Sequence, residues 1–253
     1  MKPWHSELDA RPTDIVPWLL KAIDDSDVSA PPGTQALHED GRLIVTAGSD
    51  TVTSTISNAL YYLASNPSAY RELQLQIDKV TLSYPESHAS RRTFNANEVS
   101  RIPYLDAVIK ETMRLKPASA SGQPCQTPPE GLWIDEVWIP GNVTVTVPQH
   151  TIQRDERYFP RGNEFLPERW METGSAMVFE DAFFPFGIGP LSCVGKRLAM
   201  IEMQVVLSSI ARRFDLEFAP GENGDAFDRQ VKDTVTLSVP PLQLVFRNRH
   251  RVQ

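Results

Sequence analysis

Cysteine is scarce in this chain: Cys125 and Cys193 are the only two among 253 residues. That excludes a disulfide framework and a four-thiolate metal site. Long apolar runs are also missing. No window approaches the roughly 18 consecutive apolar residues needed to span a bilayer, and the opening Met1-Lys2-Pro3-Trp4-His5-Ser6-Glu7 has no apolar core of a secretory signal. Positive charge is in deficit, with 25 Lys and Arg against 32 Asp and Glu and a net charge of −7, which argues against nucleic acid as a general partner. There is no internal repeat, no low-complexity stretch and no flavin or nicotinamide fingerprint. What remains is 41% hydrophobic and 23% charged, a globular composition able to build a core.

Periodicity predicts a mainly α chain with small β-hairpins, and 253 residues allow one domain or two small ones. Residues 1–33 are polar and proline-rich and are expected to be partly mobile, with one short helix around Ile15–Leu20. From Thr34 to Ser65 there is no proline and apolar residues recur at helical spacing, which predicts a rod of about 45 Å at 1.5 Å per residue. Asn66-Pro67 caps and opens another helix. Ser83 to Thr93 reads as loop, Asn97 starts a further element, and the helix through Ala107–Leu115 is stopped by Pro117. Alternating β-branched and aromatic residues over 132–147 predict a hairpin turning at Pro140-Gly141-Asn142. Two strand-like runs, 235–239 and 242–246, meet at Pro240-Pro241.

Three places carry chemistry-bearing residues. Cys193 lies in the Gly- and Pro-rich stretch Phe184–Lys196, just ahead of an amphipathic helix running to about Arg213. The positive end of a helix dipole favours a thiolate there, a ligand for a soft metal centre such as haem iron. The alternative is a buried structural cysteine in a turn. Gly48 interrupts the long helix at a cost of about 1 kcal/mol relative to Ala. Either something approaches the backbone there, or the glycine is tolerated while a Thr bonds back to the preceding turn. Glu111 and Arg114, at i and i+3, share a helix face.

Phe186, Gly189, Cys193 and Gly195 resemble the F-x-x-G-x-(R/H)-x-C-x-G signature of the cytochrome P-450 family of haem-thiolate monooxygenases. Ala47-Gly48-Ser49-Asp50-Thr51 resembles that family's (A/G)-G-x-(D/E)-T. Glu111-x-x-Arg114 with Pro167-Glu168-Arg169-Trp170 resembles its E-x-x-R and P-E-R-F/W pair. The resemblance covers the C-terminal half of a typical member, in the family's motif order, and implies a single truncated haem-binding domain over 1–253. It implies the C-terminal portion of the P-450 fold: a long helix over haem, the E-x-x-R helix, the cysteine loop and the helix after it. It implies haem b as cofactor, with Cys193 as axial thiolate and Phe186, Gly189 and Gly195 shaping the loop. Gly48 would widen the long helix for dioxygen, Thr51 and Asp50 would relay protons, and Glu111, Arg114 and Arg169 would lock the structure without being catalytic. The implied partners are an apolar small-molecule substrate and an NADPH-dependent flavoprotein reductase docking near Lys196, Arg197, Arg212 and Arg213. The implied location is intracellular, at the endoplasmic reticulum surface, without an anchor in this chain.

The Gly-Pro-x-x-Cys-x-Gly-Lys form at Gly189–Lys196 and Thr127-Pro128-Pro129-Glu130-Gly131 resemble a fungal secondary-metabolism branch. Three positions depart from the family pattern. Leu191 and Cys125 stand where basic residues usually neutralise haem propionates, and Gln153 replaces a common His. Alternatives to a monooxygenase are a truncated non-catalytic paralogue, and a haem-thiolate isomerase or dehydratase.

Overall fold

The structure, a computed structural model, describes residues 15–28, 30, 32–82, 94, 96–171 and 179–249. The loop expected over Ser83 to Thr93 and the first fourteen residues of the segment expected to be mobile lie outside them. The chain divides into two compact units, Met1–Asp50 and Thr51–Gln253.

The first unit holds helix α1 (Ile15–Asp24) and the N-terminal half of α2 (Thr34–Ser65). An i,i+4 ion pair from Lys21 to Asp25 at 3.0 Å closes the end of α1. The predicted limits of α2 hold, since Gly33 at φ 93° sets the chain up before it and Asn66-Pro67 ends it. Leu43, Ile44 and Val45 on this half of α2 are exposed, and full burial along the helix begins at Val52.

The second unit is built around a helical core. The C-terminal half of α2, α3 (Pro67–Leu82), α4 (Ala96–Val99) and α5 (Pro103–Leu115) bury Leu63, Leu73, Ile77, Leu105, Val108 and Ile109. An 18-residue helix, Lys196–Arg213, adds Met203 and Leu207 to that core. The helix α5 starts at Pro103, which supplies the φ a first helical turn needs and lacks only an N–H that would go unpaired. From Tyr104 on, almost every side chain of α5 is buried, so its polar residues require partners inside the protein.

The β structure is a set of antiparallel pairs. Strand β1 (Cys125–Gln126) pairs with β4 (Thr144–Val145), and β2 (Leu132–Ile134) pairs with β3 (Val137–Ile139), Trp133 facing Trp138. The hairpin therefore turns at Asp135-Glu136, with Asp135 at φ 49°, and not at Pro140-Gly141-Asn142 as predicted. Thr127 accounts for the difference. Its hydroxyl donates to the Pro140 carbonyl at 2.8 Å and accepts the Val143 N–H at 2.9 Å, so the Pro-Gly-Asn bend hands the chain from β3 to β4. The short helix α6 (Gln149–Ile152) follows.

The tail differs from expectation in the same way. Strand β6 (Lys232–Thr234) pairs with β7 (Thr236–Ser238), whereas β8 (Leu244–Asn248) reaches back to β5 (Phe214–Phe218). Pro240-Pro241 lacks the N–H groups a tight ladder needs, so the two runs flanking it belong to different sheets. Between β5 and β6 sits α8 (Asp225–Arg229), anchored by buried Phe227; the long C-terminal helix is α7 hereafter.

Candidate functional site

Glu111 is buried on α5, and a carboxylate there is costly unless fully paired. It is fully paired. Oε1 accepts Arg114 Nη2 at 2.9 Å, Arg169 Nε at 3.0 Å and the Leu166 N–H at 2.9 Å. Oε2 accepts Arg114 Nε at 2.9 Å and the Trp170 indole N–H at 2.8 Å. Arg114, also buried, uses its remaining N–H groups on the carbonyls of Gln153 (2.7 Å), Gly162 (2.7 Å) and Glu164 (3.1 Å). All five donors of the guanidinium are engaged in one planar fork, which a lysine could not reproduce.

Arg169, on the 3₁₀ turn Pro167–Trp170, also donates to the Pro160 carbonyl at 3.0 Å. The two arginines thereby fold the irregular segment 153–170 onto α5. Gly162 is required in it, because a Cβ there would lie 2.1 Å from the Arg154 carbonyl oxygen. Tyr104 pins the same turn by donating its hydroxyl to Glu168 at 2.6 Å. Burial, and then that hydrogen bond, push the phenol pKa far above its ordinary value.

A second connection runs from the end of α5 to the cysteine loop. Gln153 is fully buried, and its carboxamide Nε2 donates to the carbonyls of Met113 (3.1 Å) and Arg114 (3.3 Å). Its Oε1 accepts the Phe184 N–H at 3.1 Å. Phe184 opens the loop. Its carbonyl takes the Gly187 N–H at 2.9 Å, and the Phe186 carbonyl takes the Cys193 N–H at 2.8 Å. The Phe186 side chain packs on the helical core.

The loop is wound through Gly187 at φ 69° and Gly189 at φ 74°, conformations that L side chains rarely adopt. Nothing among the described residues lies within 4 Å of a Cβ placed on Gly189. Cys193 is exposed, so the buried structural cysteine is excluded. Ile188, Leu191 and Val194 of the same loop are exposed as well, Leu191 by 84%. Gly195 then caps α7, whose first turn carries Lys196 and Arg197 and no acidic residue. Cations there oppose the helix dipole and put positive charge beside the loop.

The other candidates are placed as follows. Gly48 and Asp50 fall in the first unit and Thr51 opens the second. No described residue crowds a Cβ built on Gly48, so packing among the described residues does not demand a glycine there. The Thr51 carbonyl accepts both Ser54 Oγ (3.0 Å) and Thr55 Oγ1 (2.8 Å), so the back-bonding weighed for this helix occurs one turn after the glycine. Among the described residues no cluster of His, Cys, Asp or Glu could hold a metal ion by itself, and no helix is long and apolar enough to cross a membrane.

The basic region near α7 needs correction. Arg212 is only 6% exposed and stacks on Phe94 at 5.2 Å. Arg213 is at the far end of an 18-residue helix, about 25 Å from Lys196 at 1.5 Å per residue. Only Lys196 and Arg197 form an exposed basic pair beside the loop.

Comparison with known proteins decides the family, since the family model for cytochrome P450 matches residues 6–246. The chain belongs to the cytochrome P450 family. It is 44% identical over 238 residues to cytochrome P450 monooxygenase eupD of a Phoma species, covering 94% of this chain and 80% of that protein. It is 38% identical to cytochrome P450 monooxygenase orf5 of Eupenicillium brefeldianum, covering 95% of this chain and 47% of that protein. It is 32% identical to tryprostatin B 6-hydroxylase of Aspergillus fumigatus, covering 85% of this chain and 37% of that protein. The chain thus spans less than half the length of the latter two. A crystal structure of a cytochrome P450, CYP102L1, superposes with a TM-score of 0.70 at 26% identity, covering 93% of this chain and 55% of that one.

The haem that the family implies can be tested against the residues present. A thiol suits iron, and an apolar macrocycle suits exposed Ile188, Leu191 and Val194 beside a glycine with open space at its Cβ position. The set fits. Spacing alone did not reveal the Gln153 carboxamide bonds, the Trp170 indole donor or the Tyr104–Glu168 pair. The P-E-R-W motif contained two of those residues, and Gln153 stood out only as a departure from the family pattern.

Proposed function

We propose that this chain is the haem-binding part of a monooxygenase that inserts one oxygen atom of dioxygen into an apolar small molecule of fungal secondary metabolism. The observation that carries this reading is the exposed Cys193 thiol on a loop braced to α5 and surrounded by exposed apolar side chains. Hydroxylation, the activity in the name of the A. fumigatus relative, is an instance of the chemistry. Bound haem supplies dioxygen activation and oxygen insertion.

The chain's own residues do the rest. Cys193 would hold the haem iron through its sulfur, with Lys196 and Arg197 beside it in the first turn of α7. Ile188, Leu191 and Val194, exposed in the chain alone, would give an apolar macrocycle an apolar surface to cover. Thr51 would pass a proton through its hydroxyl, with Asp50 restoring it from solvent. Lys196 and Arg197 offer an acidic NADPH-dependent flavoprotein reductase a docking charge. The location proposed with it, by analogy with the family, is the endoplasmic reticulum surface.

The test is spectroscopic first. The chain loaded with haem, reduced and exposed to carbon monoxide should give the Soret band of a thiolate ligand, and Cys193→Ser should lose it. Absence of that band in the parent chain would point to the non-catalytic paralogue. Turnover with NADPH and a reductase then separates a monooxygenase from an isomerase or dehydratase.

A further inference from the structure

Two parts of the second unit meet at one neutral side chain. Gln153 leaves α6 fully buried between the last turn of α5 and the first residue of the cysteine loop. A helix ends with carbonyls that have no partner of their own. At the end of α5 those of Met113 and Arg114 receive Gln153 Nε2, and that of Leu115 receives Arg154 Nη2 at 2.7 Å. The same carboxamide accepts the Phe184 N–H through Oε1. Arg114 holds the Gln153 main chain through its carbonyl, so both ends of the residue are fixed to α5.

We propose that Gln153 is a positioning residue for Cys193, registering the start of the ligand loop against α5 through one donor and one acceptor on a single uncharged group. This rests on the reading of Cys193 as the haem ligand. Chemistry limits what can serve there. The group must give a hydrogen to α5 and take one from Phe184 without carrying charge next to Arg114 and Arg154. A carboxylate lacks the donor and would face two carbonyl oxygens. A hydrocarbon lacks both functions and leaves the Phe184 N–H and two helix carbonyls unpaired. An imidazole has one donor and one acceptor. From Phe184 onward the loop is tied by short bonds, Gly187 N–H to Phe184 and Cys193 N–H to Phe186, so a shift at Phe184 passes to the sulfur.

The experiment compares Gln153→Met, which keeps the unbranched shape and removes every side-chain hydrogen bond, with Gln153→His. One readout is site-resolved amide hydrogen exchange in the chain without added haem. The other is the thiolate-type Soret band of the reduced carbonyl form at equal haem content. Gln153→Met is expected to speed exchange at Phe184 and Cys193 by about tenfold or more, leave Leu73 and Ile77 on α3 unchanged, and diminish the thiolate-type band. Gln153→His is expected to restore both. Unchanged exchange at Phe184, a rise spread equally over α3, or failure of His to rescue would each overturn the proposal. Should Gln153→Met prove too unstable to isolate, Gln153→Glu keeps the acceptor for Phe184 but loses the donor to α5, so exchange at Phe184 should quicken as well; exchange there as slow as in the parent would equally overturn the proposal. A parent chain with no thiolate-type band refutes the haem reading instead, and the exchange data still judge the brace.

Discussion

Trp170 donates its indole N–H to the same Glu111 oxygen that receives Nε of Arg114. Trp170 also packs against Phe183 at 4.5 Å between ring centroids, so the buried ion cluster and the segment leading into the cysteine loop share one side chain.

Trp170→Phe should keep most of the packing and lose the donor to a buried carboxylate. A hydrogen bond to a charged group contributes about 1.5–3 kcal/mol, and the variant should lose stability in that range by urea denaturation.

Glu111→Ala should be far more damaging, because it strands Arg114 and Arg169, whose side chains are fully buried. Breaking one partner of such a pair costs about 3–5 kcal/mol. Urea denaturation should show the loss, with Glu111→Gln milder because it retains one acceptor oxygen.

Gly162→Ala forces a Cβ to within 2.1 Å of the Arg154 carbonyl oxygen. Overpacking of this kind costs about 1–3 kcal/mol, to be read as a lowered melting temperature, and the Gly162 carbonyl should then drift from Arg114.

Asp155 carries a pH signature at the edge of the braced segment. The side-chain hydrogen bond from Arg157, and then that residue's backbone N–H, hold its carboxyl down to about 2 from an ordinary 3.8. The folded value lies below the unfolded one, so the contribution is complete above pH 3.8 and is lost as pH falls toward 2. Arg157→Leu should return the Asp155 titration toward its ordinary midpoint, as followed by carboxyl NMR.

Thr51→Ala removes a hydroxyl while leaving the Thr51 carbonyl to receive Ser54 and Thr55. The helix should persist and the thiolate-type spectrum should remain. Product formation should fall about 10²-fold or more, the scale of a lost acid–base group.

The limits of α2 could be read from sequence because Gly33 and Asn66-Pro67 are strong local signals at either end. Glu111, Arg114 and Arg169 could be read because their motifs are short and dense. The acceptors of Arg114 could not, since Gln153, Gly162 and Glu164 contribute main-chain carbonyls from a segment with no period to follow. The hairpin turn was misplaced because Pro140-Gly141-Asn142 is the stronger turn sequence, whereas tertiary pairing through Thr127 decides the matter. Arg212 looked like surface charge by type. Its burial depends on Phe94, which is 118 positions away in the chain and invisible to local pattern.

Because Arg114 has no N–H group in reserve, the stretch from Gln153 to Glu164 is bound to it at three separate carbonyls. An inserted or deleted residue between them would pull at least one oxygen off its donor. This coil is therefore held to a fixed residue count as strictly as a strand in mid-sheet, and length variation in the chain has to be accommodated elsewhere.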